Sequence, residues 1–316
     1  MNQRKVRPVF QSGREVTVKE ISEIKDTVDS FPNLSLSELN ATICEHLEWF
    51  TASGGYKLDA CMKLLEKLEA KNFLQLPARR EEYQRHRPEK PIPLTNRTDP
   101  GADIHCTLSR LGPVRIEVVN DGDKTQLWNE YVMRYHYLSY KRPFGYFLRY
   151  FVLSDQGLLG CILFSGASMS LKLRDKWIGW TETQRLKNLA WVINNSRFLI
   201  FPWVQVKNLA SHVLGKALQY IKDDYLTQWG YSPLLAETFV DPQYYQATCY
   251  KAANWQYLGM TTGEGLVRKA KSYSTTPKMI FVMPIKKDFR SSLCSDQLKA
   301  RVEQWAKRAG GREGKR

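Results

Sequence analysis

Between Asn194 and Gly259 the chain switches from strand period to helix period and back, and few folds accept that order. Residues 198–201 form an unbroken apolar run, which reads as a buried strand. A polar turn follows, and then Leu209, Val213, Leu214 and Leu218 recur at helical spacing. Residues 234–240 read as a second buried strand, with a short aromatic helix after it. Strand, turn, helix, strand, helix is the order of an α/β core.

At 316 residues there is room for two domains, each with its own core. The stretch 1–80 reads as a winged helix-turn-helix-like module. Its first 13 residues are basic and irregular. Thr17 with Glu20, and Ser35 with Glu38, are spaced as capping boxes and predict two helix starts. Ile21, Ile24 and Val28 make the first buried stripe, and Leu36, Leu39, Ile43 and Leu47 the second. A third helix over 57–71 buries Leu58, Cys61, Met62, Leu65 and Leu68, and 73–76 reads as a short strand. Residues 81–112, rich in proline and charge, read as a linker. The α/β domain then spans 113–285. It includes a strand at 114–119, an aromatic helix at 126–140, a hairpin over 147–164 turning at residues 154–157, and a last strand at 279–285. The tail 286–316 carries ten Lys/Arg against four Asp/Glu.

The net charge of +15 favours a polyanionic partner, because Lys and Arg neutralise phosphates and release counterions. DNA, single-stranded or duplex, is the partner expected. Lys57, Lys63 and Lys67 on the third helix, with Arg79 and Arg80 beyond it, would face a duplex. That helix also carries Asp59, Glu66 and Glu69, so a solvated charged face fits the same residues. In the second domain the basic candidates are Lys176, Arg197, Lys207, Lys251, Arg268, Lys269 and Lys271. They interleave with Trp177, Trp180, Trp203, Tyr244, Tyr245 and Trp255, the pattern of a surface that stacks bases and tracks a backbone. Since most tryptophans anchor cores, two or three of those six aromatics are expected to be exposed. No apolar run approaches the roughly 20 residues of a membrane span. The basic N-terminus lacks the apolar region of a secretory signal, and the six cysteines are scattered. These features predict a cytoplasmic protein with reduced thiols and no zinc site.

Several motifs resemble those of the Druantia anti-phage protein A family and its transposon-encoded relatives. They are His136-Tyr-Leu138, Trp177-Ile-Gly-Trp180, Asn194-Asn-Ser-Arg-Phe198, the stretch from Pro202 to His212, Glu237-Thr-Phe-Val-Asp241 and Thr248-Cys-Tyr-Lys-Ala-Ala-Asn-Trp255. The resemblance covers roughly residues 15–295. It implies a role in defence against phage, or in mobile-element biology, beside partners that include a large helicase. The hairpin, the strand at 198–201, its turn and helix, and the strand at 234–240 are also similar in order to the GNAT acetyltransferase fold. That likeness implies a GNAT-like α/β domain with a phosphate-binding turn of the form Gln/Arg-x-x-Gly-x-Gly/Ala. Here the turn is Gln205-Val-Lys-Asn208-Leu-Ala210, with Asn208 in place of the middle glycine, where a side chain crowds an approaching phosphate. The same likeness implies Tyr250 as a general acid.

Metal-assisted DNA nicking or strand transfer is the other chemistry the residues suggest. Glu237 and Asp241, at i and i+4 of one strand, point the same way and would hold Mg²⁺. Glu130 and Asp155 would complete the ligand set, and His136, His212 or Tyr250 would orient a water or attack. A structural pairing with Arg197 or a lysine, holding the strand end, suits the two carboxylates better, because paired carboxylates alone are a common structural feature. The expectation is therefore a nucleic-acid-binding component of an anti-phage defence system. A metal-dependent nuclease acting through Glu237, Asp241 and Tyr250, and a GNAT-type acyltransferase, are the enzyme alternatives.

Overall fold

The computed structural model describes residues 7–31, 34–77, 91–263, 276–296 and 298. They divide into two units. The first holds the described residues of Met1–Pro88, Thr181–Asn188 and Ser295–Arg316, and the second holds those of Glu89–Trp180 and Leu189–Cys294.

The first unit begins with a hairpin, β1 (Val9–Gln11) and β2 (Arg14–Val16), where irregular chain was expected. Three-residue strands carry too short a pattern to be read from periodicity. Helix α1 (Val18–Ser30) starts at Thr17 with the expected capping box. Thr17 N–H donates to the Glu20 carboxylate at 2.7 Å and Glu20 N–H donates to Thr17 Oγ1 at 3.2 Å. Helix α2 (Leu36–His46) repeats the device with Ser35 and Glu38. Helix α3 (Leu58–Ala70) turns Cys61, Leu64, Leu65 and Leu68 inward. Leu58, expected in that stripe, is 43% exposed in the first turn. The core joins these helices to Val9 and Val16 of the hairpin. Three N-terminal helices are thus present, but residues 71–77, directly after α3, form no strand. Residues 74–77 run without a ladder partner, and Leu76 N–H donates to the Glu69 carboxylate instead.

The second unit is mixed α/β. It comprises β3 (Ile104–Cys106), β4 (Arg115–Val118), α4 (Gly122–Tyr135), β5 (Leu148–Ser154), β6 (Gly157–Gly166) and α5 (Lys172–Ile178). Helix α6 (Glu182–Asn188) belongs to the first unit. The chain returns with β7 (Val192–Ile200), β8 (Val204–Val206), α7 (Leu209–Trp229), β9 (Leu235–Val240), α8 (Thr248–Ala252), β10 (Gln256–Met260), β11 (Met279–Pro284) and α9 (Phe289–Leu293). Seven strands form one sheet in the order β10-β11-β9-β7-β6-β5-β4. All neighbours are antiparallel except β7 and β9, which are parallel and joined by the α7 crossover. Meander, parallel pair and crossover helix make this a GNAT-like mixed sheet. Gly160 in β6 faces Ile200 of β7 so closely that a Cβ would lie 2.1 Å from the Leu199 carbonyl oxygen. β3, inside the stretch read as linker, pairs with β8, inside the stretch read as a polar turn. Both are three residues long, and neither alternates enough to announce a strand.

Candidate functional site

The parallel pairing of β7 with β9 is short. It runs from Val192 opposite Leu235 to Asn194 opposite Glu237 and stops. At that point β7 carries a bulge, its register against β6 shifting between Leu163–Arg197 and Phe164–Asn195. Bulges bend a strand and re-aim its side chains. Beyond the bulge the two strands leave a cavity of about 370 Å³, within the roughly 300–1,000 Å³ range of small-molecule sites.

A buried polar network lies across the gap. Tyr250 Oη donates to Asn195 Oδ1 at 2.7 Å and lies 3.4 Å from Thr238 Oγ1. The Thr238 hydroxyl donates to the Asn195 carbonyl at 3.0 Å. Asn195 Nδ2 donates to the carbonyls of Leu163 and Arg197 at 3.1 and 3.2 Å. Burial pushes the Tyr250 hydroxyl well above the usual tyrosine range. Its proton is committed to Asn195.

The mouth is aromatic. Helix α4 was expected to continue to residue 140, but it ends at Tyr135, and the extended backbone of His136 turns the chain away. Tyr137 therefore leaves the helix, stacks on His136 at 5.0 Å between centroids and meets Tyr244 and Tyr245 at 5.1 and 5.3 Å. Tyr244 and Tyr245 are 63% and 53% exposed. Of the six aromatics singled out in the sequence, these two are exposed, Trp177 is half-buried, and Trp180, Trp203 and Trp255 are buried. Leu138 N–H donates to His136 Nδ1 at 3.1 Å, which places the imidazole proton on Nε2. Burial, and secondarily the charge of Arg197, lower the His136 pKa to about 4, so the ring is neutral at pH 7.

Arg197, on the bulged strand, is half-buried. Its Nε donates to the Ser139 carbonyl at 3.0 Å and its Nη1 to the Ser196 carbonyl at 2.6 Å. Among the described residues no carboxylate reaches it. Burial weakens its charged form, opposed by the Tyr137 hydroxyl.

The predicted carboxylate pair is built differently. Glu237 is fully buried, accepting from Arg174 Nη1 at 2.7 Å and from Ser168 N–H at 2.7 Å. Burial raises its pKa against the pull of that guanidinium and that amide. Asp241 accepts from Lys278 Nζ at 2.8 Å, from Thr276 Oγ1 at 2.9 Å and from Gln243 N–H at 3.1 Å. The hydrogen bond from Lys278 is the main cause of its lowered pKa. Lys278 is thus a lysine partner of the kind expected, and Arg174 rather than Arg197 is the arginine. Glu130 is buried on the hydroxyls of Thr95 and Thr98, and Asp155 pairs with Arg115 at 2.8 Å, so neither joins Glu237. Tyr250 approaches Thr238, whose side chain points to the sheet face opposite Glu237. The structure therefore does not gather Glu237, Asp241 and Tyr250 into one centre. Among the described residues no group of three or more His, Cys, Asp or Glu side chains could hold a metal ion. Glu237 and Asp241, each occupied by a cation, do not fit the role of Mg²⁺ ligands.

The basic candidates are spread out. Lys207 precedes α7 and Lys251 lies on α8, both exposed, and Lys176 is exposed on α5. In the first unit Lys63 is exposed, Lys67 donates to the Phe10 carbonyl at 3.1 Å, and Lys57 is half-buried with a pKa lowered mainly by burial. Arg79, Arg80, Arg268, Lys269 and Lys271 lie outside the described residues. Neither the Arg174–Glu237 pair nor the Asn195–Tyr250 bond leaves a local signal in the sequence, since both join residues more than fifty positions apart. No helix among the described residues is long and apolar enough to cross a membrane.

The sequence model of the family described as Druantia protein DruA matches residues 67–277. The chain belongs to the DruA family. It is thereby a component of Druantia anti-phage defence, with other defence proteins as its company. The match spans the whole β7–β9 cleft, so the cavity lies in the part of the chain that defines DruA. No curated protein matches the chain. Similar solved structures include the polyamine N-acetyltransferase of Drosophila melanogaster, at 11% identity and TM-score 0.35, covering 54% of this chain and 100% of that one. A mutant of the spermidine N-acetyltransferase SpeG from Vibrio cholerae is 12% identical at TM-score 0.33, covering 56% and 95%. A Bacillus subtilis acetyltransferase in complex with CoA is 11% identical at TM-score 0.31, covering 54% and 99%. Values this low carry no chemistry to a DruA protein.

Proposed function

We propose that this DruA protein binds nucleic acid for its defence system, holding an unpaired DNA strand at the mouth of the β7–β9 cleft. The observation that carries this reading is Arg197, a half-buried cation with no carboxylate partner among the described residues, near the half-buried Tyr137 and the exposed Tyr244 and Tyr245 that meet it. A buried charge needs a counter-charge, and a phosphate satisfies that need. Bases stack on exposed aromatics without sequence preference, at about 1–3 kcal/mol each. Exposed Lys207 and Lys251 add to the pull on the backbone, and the overall charge of +15 draws the strand in. A helicase partner, as the family resemblance implies, would supply the opened strand. In the first unit, taken by itself, α3 with Lys57, Lys63 and Lys67 is proposed as a separate duplex contact.

Binding of labelled single- and double-stranded DNA across a salt series tests this. Single strands bind more tightly, affinity falls steeply with salt, and replacing Tyr244 and Tyr245 by Ala weakens the strand by at least about tenfold. Equal binding of the double variant would remove the tyrosines from the interface.

One observation favours the acyltransferase alternative. Asn208 takes the left-handed conformation, φ 65°, that a glycine would adopt at the start of α7. The turn therefore keeps the backbone shape of a phosphate cradle despite the side chain. Titration calorimetry with acetyl-CoA checks it: saturable binding supports the transferase, and no heat removes it.

A further inference from the structure

We propose that the cavity between β7 and β9 is a pocket for a single unpaired nucleobase, taken out of the strand that the tyrosines hold. This rests on the strand-binding reading above and adds what the cavity itself is for.

The strand platform and the cavity share residues. The half-buried Tyr137 and the exposed Tyr245 belong both to the tyrosine cluster and to the cavity lining, so a base leaving a stack on Tyr244 passes directly into the gap. The two rings stand at 65° to one another with centroids 5.3 Å apart, one forming a floor and the other an edge. Deeper in, Phe198 and Tyr250 add another edge-to-face pair at 6.3 Å. Aromatic walls of this kind suit a flat heteroaromatic ring better than an aliphatic chain.

The polar groups suit a base edge. His136 is buried, lines the cavity and carries its proton on Nε2, a donor with no protein partner among the described residues. Being neutral, it donates to a ring nitrogen or carbonyl without demanding a negative charge. Gln246 and Thr248, exposed at the rim, offer an amide and a hydroxyl for the exocyclic groups. The inner network of Asn195, Thr238 and Tyr250 is already satisfied, so it closes the floor without leaving a buried group that the base must pair. Arg197 lies outside the lining, but its Nε reaches the Ser139 carbonyl, next to Tyr137 and Leu138 of the lining, and the phosphate of the extruded nucleotide would lie on that side of the mouth. Extrusion costs least from a single strand, which matches the substrate proposed above.

The test uses the full chain and a short single strand carrying one 2-aminopurine, with anisotropy reporting strand binding and 2-aminopurine fluorescence reporting the base. With the native protein the base becomes shielded from acrylamide quenching by about threefold or more on binding, as expected for a base inside a pocket. Ala210→Phe fills the cavity from the first turn of α7, and Thr248→Trp fills it from the exposed start of α8. Either variant, if folded by circular dichroism, loses the shielding while strand affinity falls by no more than about tenfold. Strand binding with the base equally quenchable in all three proteins overturns the pocket and leaves the strand reading standing. No strand binding by the native protein overturns both. Saturation of the native pocket by dAMP, without any strand binding, overturns the strand as occupant in favour of a free nucleotide.

Discussion

Two arginines of the second unit, one buried and one half-buried, meet opposite fates. Arg174 is fully enclosed and paired with Glu237 at 2.7 Å and Asp175 at 2.7 Å, with the Ser168 carbonyl accepting from it as well. Arg197 is half-buried and meets only carbonyl oxygens. Charge compensated within the fold holds the fold together. Charge left without a carboxylate among the described residues is proposed to take an arriving phosphate. Of the two readings of Glu237 and Asp241, metal chemistry or a structural pairing with Arg197 or a lysine, the contacts follow the second, with Lys278 on Asp241 and Arg174 rather than Arg197 on Glu237.

The largest effect should come from breaking the closed site. Arg174→Met leaves the Glu237 carboxylate buried without its cation and should cost about 3–5 kcal/mol, read as a fall in the denaturation midpoint. Replacing both partners, Glu237→Leu with Arg174→Met, should cost less than either single change. If Arg174→Met kept native stability, the two arginines would not differ as described.

Next is acid. Folded His136 has a pKa of about 4, below its ordinary 6.5, so the unfolded chain takes up the proton first. Stability is therefore lost as pH falls from about 6.5 to about 4, by about 3 kcal/mol through this residue, and the loss levels off below that. His136→Gln should flatten the stability profile in that window, measured by urea unfolding at fixed pH steps. A profile unchanged by the variant would mean that the ring is not held neutral.

A smaller change sharpens the comparison on the open side. Tyr250→Phe removes the bond to Asn195 Oδ1 and should cost about 1–2 kcal/mol of stability while strand binding persists. Loss of a catalytic activity with no loss of stability would instead restore Tyr250 to chemistry.

How much of this was legible in advance follows from what each feature depends on. The capping boxes at Thr17 and Ser35 were legible because each is a contact between residues three apart. Strand β9 and helix α7 were legible because an apolar run and a helical period mark the sequence, but of β7 only the end at 198–200 was, since its polar residues 194–197 break the apolar run. Helix α3 was placed correctly but turned on its axis, since Leu58 and Leu64 are equally apolar and only tertiary packing chooses between them. The short strands β1, β2, β3, β8 and β10 were not legible, because pairing rather than pattern makes them strands. In the site, the sequence marked Tyr244, Tyr245, Arg197 and Tyr250 as chemistry-bearing residues. It did not distinguish a carboxylate facing a ligand from one facing Arg174, since that depends on where α5 packs.

The most direct measurement is the salt dependence of single-strand binding by the native chain and by Arg197→Met. If Arg197 takes a phosphate, the variant keeps its melting temperature within a few degrees, binds the strand more weakly, and shows a log–log salt slope shallower by about 0.7–1. An unchanged affinity and slope would show that Arg197 is satisfied by its carbonyls alone, and the contrast with Arg174 would carry no function.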